Sequence, residues 1–502
     1  MLGELIGEAA RRFGGSPAFV AAEGWAVSYD DLDRLSGEVA AGLRRRGVVA
    51  GDVVALVLPS IPEYVVAYLA AAKVGAITAG VNARLSPPER AGVLDVAAPR
   101  LVLATAELAP PGPAGPAGDV VEVRPAARAD DVLATLRTRG ETAPVVPDDP
   151  ERPVAIIFTS GTTGAPRGAW FCNRQLAAVT AIDVGDRWGP GGGRALAGTS
   201  LAHLGPMTKL AGNLRQGGTA FLTHRWRADE ALRLTAEHHM TGIGGIPTQV
   251  ALMLRVPDFE RYDLSAVRAI VIGGGPATPA LVREARTRFG VPLAVRYSCT
   301  EAAIGVGTAL TDPDEDAEVS VGRPLAGVTL SVLDDDDRPV PRGEVGAVCL
   351  RSPAVMSGYW RDPEATAAAL TRDGAVRTGD LGWVDERGRL RLTGRSKEMY
   401  VRGGYNVYPM EVEAVLAEHP GVAAVAVVPR PDAVMGEVGV AVVVAHAGGP
   451  RPVLEELRAF ASGRLAAHKL PEAMRVVDAL PLTAMEKVDR RALQAQVAEA
   501  SN

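Results

Sequence analysis

Cysteine is scarce: Cys172, Cys299 and Cys349 are the only three in 502 residues, far apart and without a Cys-x-x-Cys pair. That excludes a disulfide scaffold and a cysteine-built structural zinc site, and it points to a reducing cytoplasm. Positive charge is not in excess either. The 53 Lys and Arg face 59 Asp and Glu, a net charge of −6, so no general field draws DNA, RNA or anionic lipid, and nucleic acid is not expected as a partner. The opening MLGELIGEAARRFGG places Glu4 and Glu8 where a secretory leader carries positive charge, and its apolar run is too short. The most apolar window, 64–81, is interrupted by Lys73 and reads as a buried core helix rather than a membrane span. No repeat of solenoid period is visible, and 56 Gly with 37 Pro stay below the roughly 25–30% share of low-complexity chains.

A globular composition remains, 47% hydrophobic and 22% charged. Single cores stop growing beyond roughly 250–300 residues, so more than one domain is expected. Helical and strand patterns alternate early: 30–47 helical, 53–58 strand, 63–74 helical, 100–104 strand. This rhythm belongs to layered α/β sheets. The stretch 109–118, APPGPAGPAG, breaks all periodicity and reads as a surface loop. Further strands are expected at 154–158, 219–222 and 269–272. From Val332 the chain becomes hairpin-like, an acidic turn preceding an apolar strand, which suggests a β-rich subdomain. Beyond Lys397 an independent α+β pattern follows, with helices at 410–418 and 453–467 and strands at 422–428 and 438–445. The expected division is 1–396, a large N-terminal unit, and 397–502, a small C-terminal one.

The strongest local signal runs from Ile156 to Gly168. An apolar strand enters a loop of hydroxyls, glycines and one cation: Thr159, Ser160, Gly161, Thr162, Thr163, Gly164, Ala165, Pro166, Arg167. Such a loop can wrap phosphate oxygens, because glycine lets the backbone approach, N–H groups and hydroxyls donate, and Arg167 adds a forked cation. It cannot be aligned to a Walker A loop.

This stretch resembles the phosphate loop of the adenylate-forming superfamily, in particular its acyl-CoA synthetase branch of AMP-dependent acid:CoA ligases. Other motifs of that family recur in order: Tyr297-Ser298-Cys299-Thr300-Glu301, Thr378-Gly379-Asp380, Gly394-Arg395-Ser396-Lys397, Gly403-Gly404-Tyr405-Asn406-Val407 and Pro481 to Lys487. The resemblance spans nearly the whole chain. It implies a two-step ligase using ATP, Mg²⁺ and coenzyme A on a small-molecule carboxylic acid, fatty or aryl. An acceptor of another kind, a carrier-protein pantetheine or an amine, is the alternative. A non-catalytic nucleotide sensor is a third reading. The protein would be a cytoplasmic monomer or homodimer without a membrane segment.

Chemically, a carboxylate must be joined to a better leaving group before it can acylate anything. Bringing it to the α-phosphate of ATP pairs two anions, so cations and donors must be preorganised around them. The resemblance implies that Lys487 supplies the catalytic cation, Glu301 holds Mg²⁺ and Thr300 hydrogen-bonds a phosphate. Thr159 to Gly164, with Arg167 and Ser298, cradle the triphosphate; Tyr297 stacks on adenine, Asp380 accepts from the ribose hydroxyls, and Arg395 reaches ribose or phosphates. Lys397 is the hinge on which the C-terminal domain turns, and Gly403, Gly404 and Tyr405 line the channel for the CoA thiol.

The acyl group is expected between the segment Ser200 to Gly205, Gly274, Gly275 and Pro276, and the residues after Glu301. His203 would lie near the carboxylate. Ala302, Ala303 and Gly305 would leave room for a long or flat acid, no acidic residue stands ready for an amino acid's ammonium, and Lys209 points to solvent. Two departures stand out. Glu486 occupies a position where the family usually has glycine, which predicts slower adenylation, and Arg167 replaces a common lysine.

Overall fold

The computed structural model describes residues 2–110, 118–143, 146–159, 166–446, 451–484 and 487–499. Its first layer is a seven-stranded sheet. In spatial order it runs Gly358–Tyr359, Arg167–Cys172, Pro153–Thr159, Ile77–Gly80, Val53–Val57, Leu101–Ala104 and Asp119–Glu122. The last five are parallel, and Arg167–Cys172 runs antiparallel to both of its neighbours. Fully buried parallel strands read as continuous apolar runs, as VVALV does here. A nine-stranded sheet carries Leu293–Tyr297, Ala269–Gly273, Gly242–Gly245 and Arg194–Leu196 as parallel neighbours. One continuous core joins the two sheets, uniting Val54 and Leu56 with Phe19, Ala202 and Leu222.

Local chemistry sets the element boundaries. The helix Tyr29–Arg45 starts at a capping box in which Asp31 N–H donates to Ser28 Oγ at 3.0 Å and Ser28 N–H donates back to Asp31 Oδ2 at 3.2 Å. The apolar window 64–81 is not one helix. Gly75 takes a left-handed φ of 76°, ends the helix Pro62–Val74, and releases the chain into the strand Ile77–Gly80. The expected helix 453–467 is likewise shorter, Leu454–Ser462. Gly463 follows it, and Leu465 then turns back into the core.

The β-rich subdomain is a four-stranded antiparallel sheet of Thr329–Leu333, Gly346–Arg351, Val376–Val384 and Leu390–Arg395. The acidic turn 334–337 does join its first hairpin, with Asp334 Oδ1 accepting from the backbone of Asp336 and Arg338. From Tyr400 onward the chain builds its own cores, on either face of the long hairpin Val422–Asp432 and Gly436–Ala445. Most of the loop 109–118 lies outside the described residues. Among the described residues no helix is long and apolar enough to cross a membrane.

Candidate active site

Parallel strands present their carboxyl ends to a crevice, the usual ligand position in open α/β sheets. Thr159 ends one strand of the seven-stranded sheet, Asn82 lies just past another, and Tyr297 ends a strand of the nine-stranded sheet. The antiparallel sheet adds Asp380 and Arg395, registered opposite each other on neighbouring strands.

These groups form a connected cluster. Tyr297 Oη donates to Asp380 Oδ2 at 2.7 Å, and Arg395 Nε donates to Asp380 Oδ1 at 3.0 Å. Desolvation, with the Asp380 charge next, raises the Tyr297 phenol far above its ordinary range, so it remains a donor. Each Asp380 carboxylate oxygen is thus already oriented by one protein donor.

A second cluster is built around Glu301. Tyr359 Oη donates to Glu301 Oε1 at 2.6 Å, and the Arg167 guanidinium lies 5.6 Å from the Tyr359 ring centroid. The strand Gly358–Tyr359 pairs with Arg167–Cys172, so the same short segment contacts both Glu301 and the strand that begins at Arg167. Cys299 is half-buried, and its thiol is raised by desolvation first and then by the Glu301 charge.

The last motif enters this crevice from the C-terminal unit. Thr483 N–H donates to the Lys487 carbonyl at 2.7 Å and Lys487 N–H to Thr483 Oγ1 at 3.3 Å, and Leu482 bridges Val488 antiparallel, so the two arms of a hairpin meet at Lys487. Lys487 retains exposed surface, yet protein walls around it and the nearby Arg395 pull its ammonium below the ordinary lysine value, while Asp380 opposes them. His203 is half-buried. Desolvation, with Lys487 next and Arg84 third, pushes its imidazole down to about 4, so it is neutral at physiological pH.

Other expected residues fall differently. Ser160, Gly161, Thr162, Thr163 and Gly164 lie outside the described residues, as does Glu486. Ser298 Oγ donates to the Cys299 carbonyl, and the Thr300 carbonyl accepts from Ala303 N–H. Gly274 and Pro276 are exposed, and a Cβ on Gly274 or Gly275 would meet only ordinary contacts at 3.5 Å, from Ile246 and Pro247. Ala302 and Ala303, by contrast, are buried in hydrophobic cores. A Cβ on Gly305 would stand 2.7 Å from the Tyr297 carbonyl, so the small residues after Glu301 are accounted for by packing.

Lys209 does not point free to solvent; it pairs with Asp183 at 2.8 Å. Gly403 and Gly404, with φ of 55° and 86°, form the two-residue turn of a hairpin between Tyr400–Arg402 and Tyr405–Val407. Tyr405, 60% exposed, stacks on His468 at 4.6 Å. Lys397 is exposed in the segment between Arg395 and the C-terminal cores.

Sequence reasoning missed Asn82 and Tyr359. It also missed a groove of about 1440 Å³ beside the Lys487 hairpin, edged by Leu482 and Thr483 and lined by arginines such as Arg84, Arg225 and Arg255 and by the carboxylates Glu107, Glu122 and Asp229. Among the described residues no group of three His, Cys, Asp or Glu is placed to hold a metal.

The chain matches the AMP-binding enzyme family over residues 6–360 and the AMP-binding enzyme C-terminal domain over 411–487. It is 34% identical over 492 residues to the fatty acid–acyl-carrier-protein ligase ScoC of Streptomyces coeruleorubidus, covering 95% of this chain and 92% of that one. It is 34% identical over 472 residues to the indoleacetate–CoA ligase of Aromatoleum aromaticum, covering 92% and 91%. The solved amide bond synthetase McbA of Marinactinospora thermotolerans superposes with a TM-score of 0.85 at 32% identity, over 98% of this chain and all of that one.

Proposed function

The chain belongs to the AMP-binding enzymes, and on that premise we propose that it is an ATP-dependent carboxylic acid:CoA ligase. In the first step a carboxylate oxygen bonds to the α-phosphorus of ATP, the bond to the β-phosphate oxygen breaks, and pyrophosphate leaves. In the second a thiol sulfur takes the acyl carbon, the thiol gives up its proton, and AMP departs. One observation carries this reading. Asp380, oriented by Tyr297 and Arg395, shares a crevice with Lys487 and His203, residues drawn from three distant parts of the chain.

Each residue has a role that follows from its surroundings. Asp380 keeps lone pairs for the ribose hydroxyls while Tyr297 and Arg395 hold it still. Arg167 and the backbone near Thr159 face the phosphates. Lys487 neutralises charge that grows between carboxylate and α-phosphate, where a preorganised cation is worth most. His203, neutral, offers a dipole and no competing charge. Glu301 suits Mg²⁺, which takes one or two carboxylates and completes its shell with water and substrate phosphates. When bound, the ion would neutralise phosphate charge.

Residues 1–396 serve as the binding body and 397–502 as the mobile unit turning at Lys397. The present pose puts the Lys487 hairpin at the crevice, while the Gly403–Gly404 hairpin contacts Met435 and His468 within its own unit. That arrangement suits the first step, and rotation would bring Gly403, Gly404 and Tyr405 to the thiol. The groove beside the hairpin, in whose lining five arginines outnumber the carboxylates Glu107, Glu122 and Asp229, suits the phosphates of coenzyme A. Three unpaired cysteines fit the cytoplasm, where ATP and CoA are held.

Similarity to the carrier-protein ligase supports a second reading, in which pantetheine on a carrier protein takes the acyl group. Acid-dependent exchange of pyrophosphate into ATP, measured over a panel of fatty and aryl acids, tests the first step. Product formation with CoA, a pantetheinylated carrier or an amine then ranks the acceptors. Absence of exchange with every acid sinks the proposal and favours a nucleotide sensor.

A further inference from the structure

Asn82 follows the strand Ile77–Gly80 and is buried, 8% exposed. Its amide orientation is set from behind: Arg84 N–H donates to Asn82 Oδ1 at 3.0 Å, so Nδ2 points the other way. There it meets two acceptors, His203 Nε2 at 3.2 Å and the Ala484 carbonyl at 3.4 Å. The first belongs to the acyl segment. The second belongs to the hairpin that carries Lys487, 402 positions along the chain.

An amide nitrogen has two hydrogens and no acceptor capacity, so this one NH₂ group spans both partners. His203 Nε2 must then accept, which puts the imidazole proton on Nδ1 and keeps the ring neutral beside the Lys487 ammonium. Two neutral hydrogen bonds, one at the long end of the range, bias a contact without locking it. A loop that docks for one step and withdraws for the next needs such a contact.

We propose that Asn82 is a positioning residue that docks the Lys487 hairpin against the acyl site during adenylation, acting through His203 and Ala484 rather than on the reacting atoms. This rests on the two-step reading above. Asn82→Asp is the decisive variant, because it keeps the size of the side chain and the oxygen facing Arg84 N–H but deletes both donors. Asn82→Ala deletes everything.

In both variants the turnover of acid-dependent pyrophosphate exchange is expected to fall roughly tenfold, with the KM for acid changed by less than about twofold. Thioester formation from added acyl-adenylate keeps the wild-type rate. Spin labels at Val120 and Val453, one on each unit, supply a readout that needs no turnover: Asn82→Asp shifts the distance distribution away from the docked pose in the absence of acid and ATP. A shifted distribution in a chain that activates no acid would leave the docking role standing and remove the ligase reading instead. Wild-type exchange in Asn82→Asp, an equal fall in both half-reactions, or unchanged distances would each overturn the docking role.

Discussion

The Tyr297 hydroxyl sits 2.7 Å from Asp380 Oδ2 and donates to it. A residue expected only to stack on adenine therefore orients the carboxylate proposed to accept from the ribose hydroxyls. Tyr297→Phe keeps the ring and removes the donor, leaving Arg395 alone on Asp380. A hydrogen bond to a charged group contributes about 1.5–3 kcal/mol, so the KM for ATP should rise roughly tenfold or more while kcat falls less. Steady-state exchange kinetics at varied ATP check this; an unchanged KM would show that Arg395 suffices.

Tyr359 and Glu301 stand in the same relation, at the carboxylate proposed to hold Mg²⁺. Tyr359→Phe keeps the ring beneath Arg167 but frees one oxygen of Glu301. The concentration of Mg²⁺ giving half-maximal exchange should rise severalfold, with the rate recovered at high Mg²⁺. Tyr359→Leu, which also removes the cation–π contact worth about 0.5–2 kcal/mol, should not be fully rescued by the ion. Exchange rates titrated with MgCl₂ separate the two variants.

The antiparallel sheet that carries Asp380 is tied to the main body by a buried ion network. Arg389 donates to Asp385 Oδ2 and to Asp316 Oδ1, both at 2.7 Å, and Arg323 donates to Asp316 Oδ2 at 2.9 Å. Arg389→Leu leaves two buried carboxylates short of partners and should cost about 3–5 kcal/mol, read as a lower melting temperature. Desolvation opposes ionisation of Asp385, but hydrogen bonds from Arg389 and Arg391 outweigh it and hold the carboxyl at about 2. A folded-state pKa below the unfolded one stabilises above the unfolded value and is lost as pH falls toward 2. The variant should therefore begin to lose acid stability at a higher pH than wild type.

Tyr297, Glu301, Asp380, Arg395 and Lys487 are legible only through the family resemblance their motifs carry, because each residue taken alone reads as a core ring, a helix cap, a turn or a solvated side chain. The alternating periodicity makes the layered sheets legible from local pattern alone. Asn82 and Tyr359 are silent in the sequence, since they act through hydrogen bonds to partners 121, 402 and 58 positions away, and no local spacing encodes such distances. Ala302, Ala303 and Gly305 are ambiguous in the sequence. Smallness reads equally as an open pocket or as close packing, and only the position of Leu350 and the Tyr297 carbonyl decides for packing at Gly305.

Lys487 ties the chemistry to pH. In the proposed first step its ammonium is the form that would neutralise charge on the α-phosphate, so Lys487→Ala should slow adenylation by roughly 100- to 1000-fold and spare thioester formation from added acyl-adenylate. Protein around it and Arg395 lower its pKa, with Asp380 acting against them. The charged form is therefore lost on the alkaline side at a lower pH than for a free lysine, and kcat/KM for exchange should fall there. Arginine remains charged throughout that range, so Lys487→Arg, whatever its absolute rate, should lack the limb. His203 adds no acid limb above about pH 5, because its imidazole is held down to about 4. An alkaline limb that persists unchanged in Lys487→Arg would assign the titration to another group and strip Lys487 of its role as the cation of the first step.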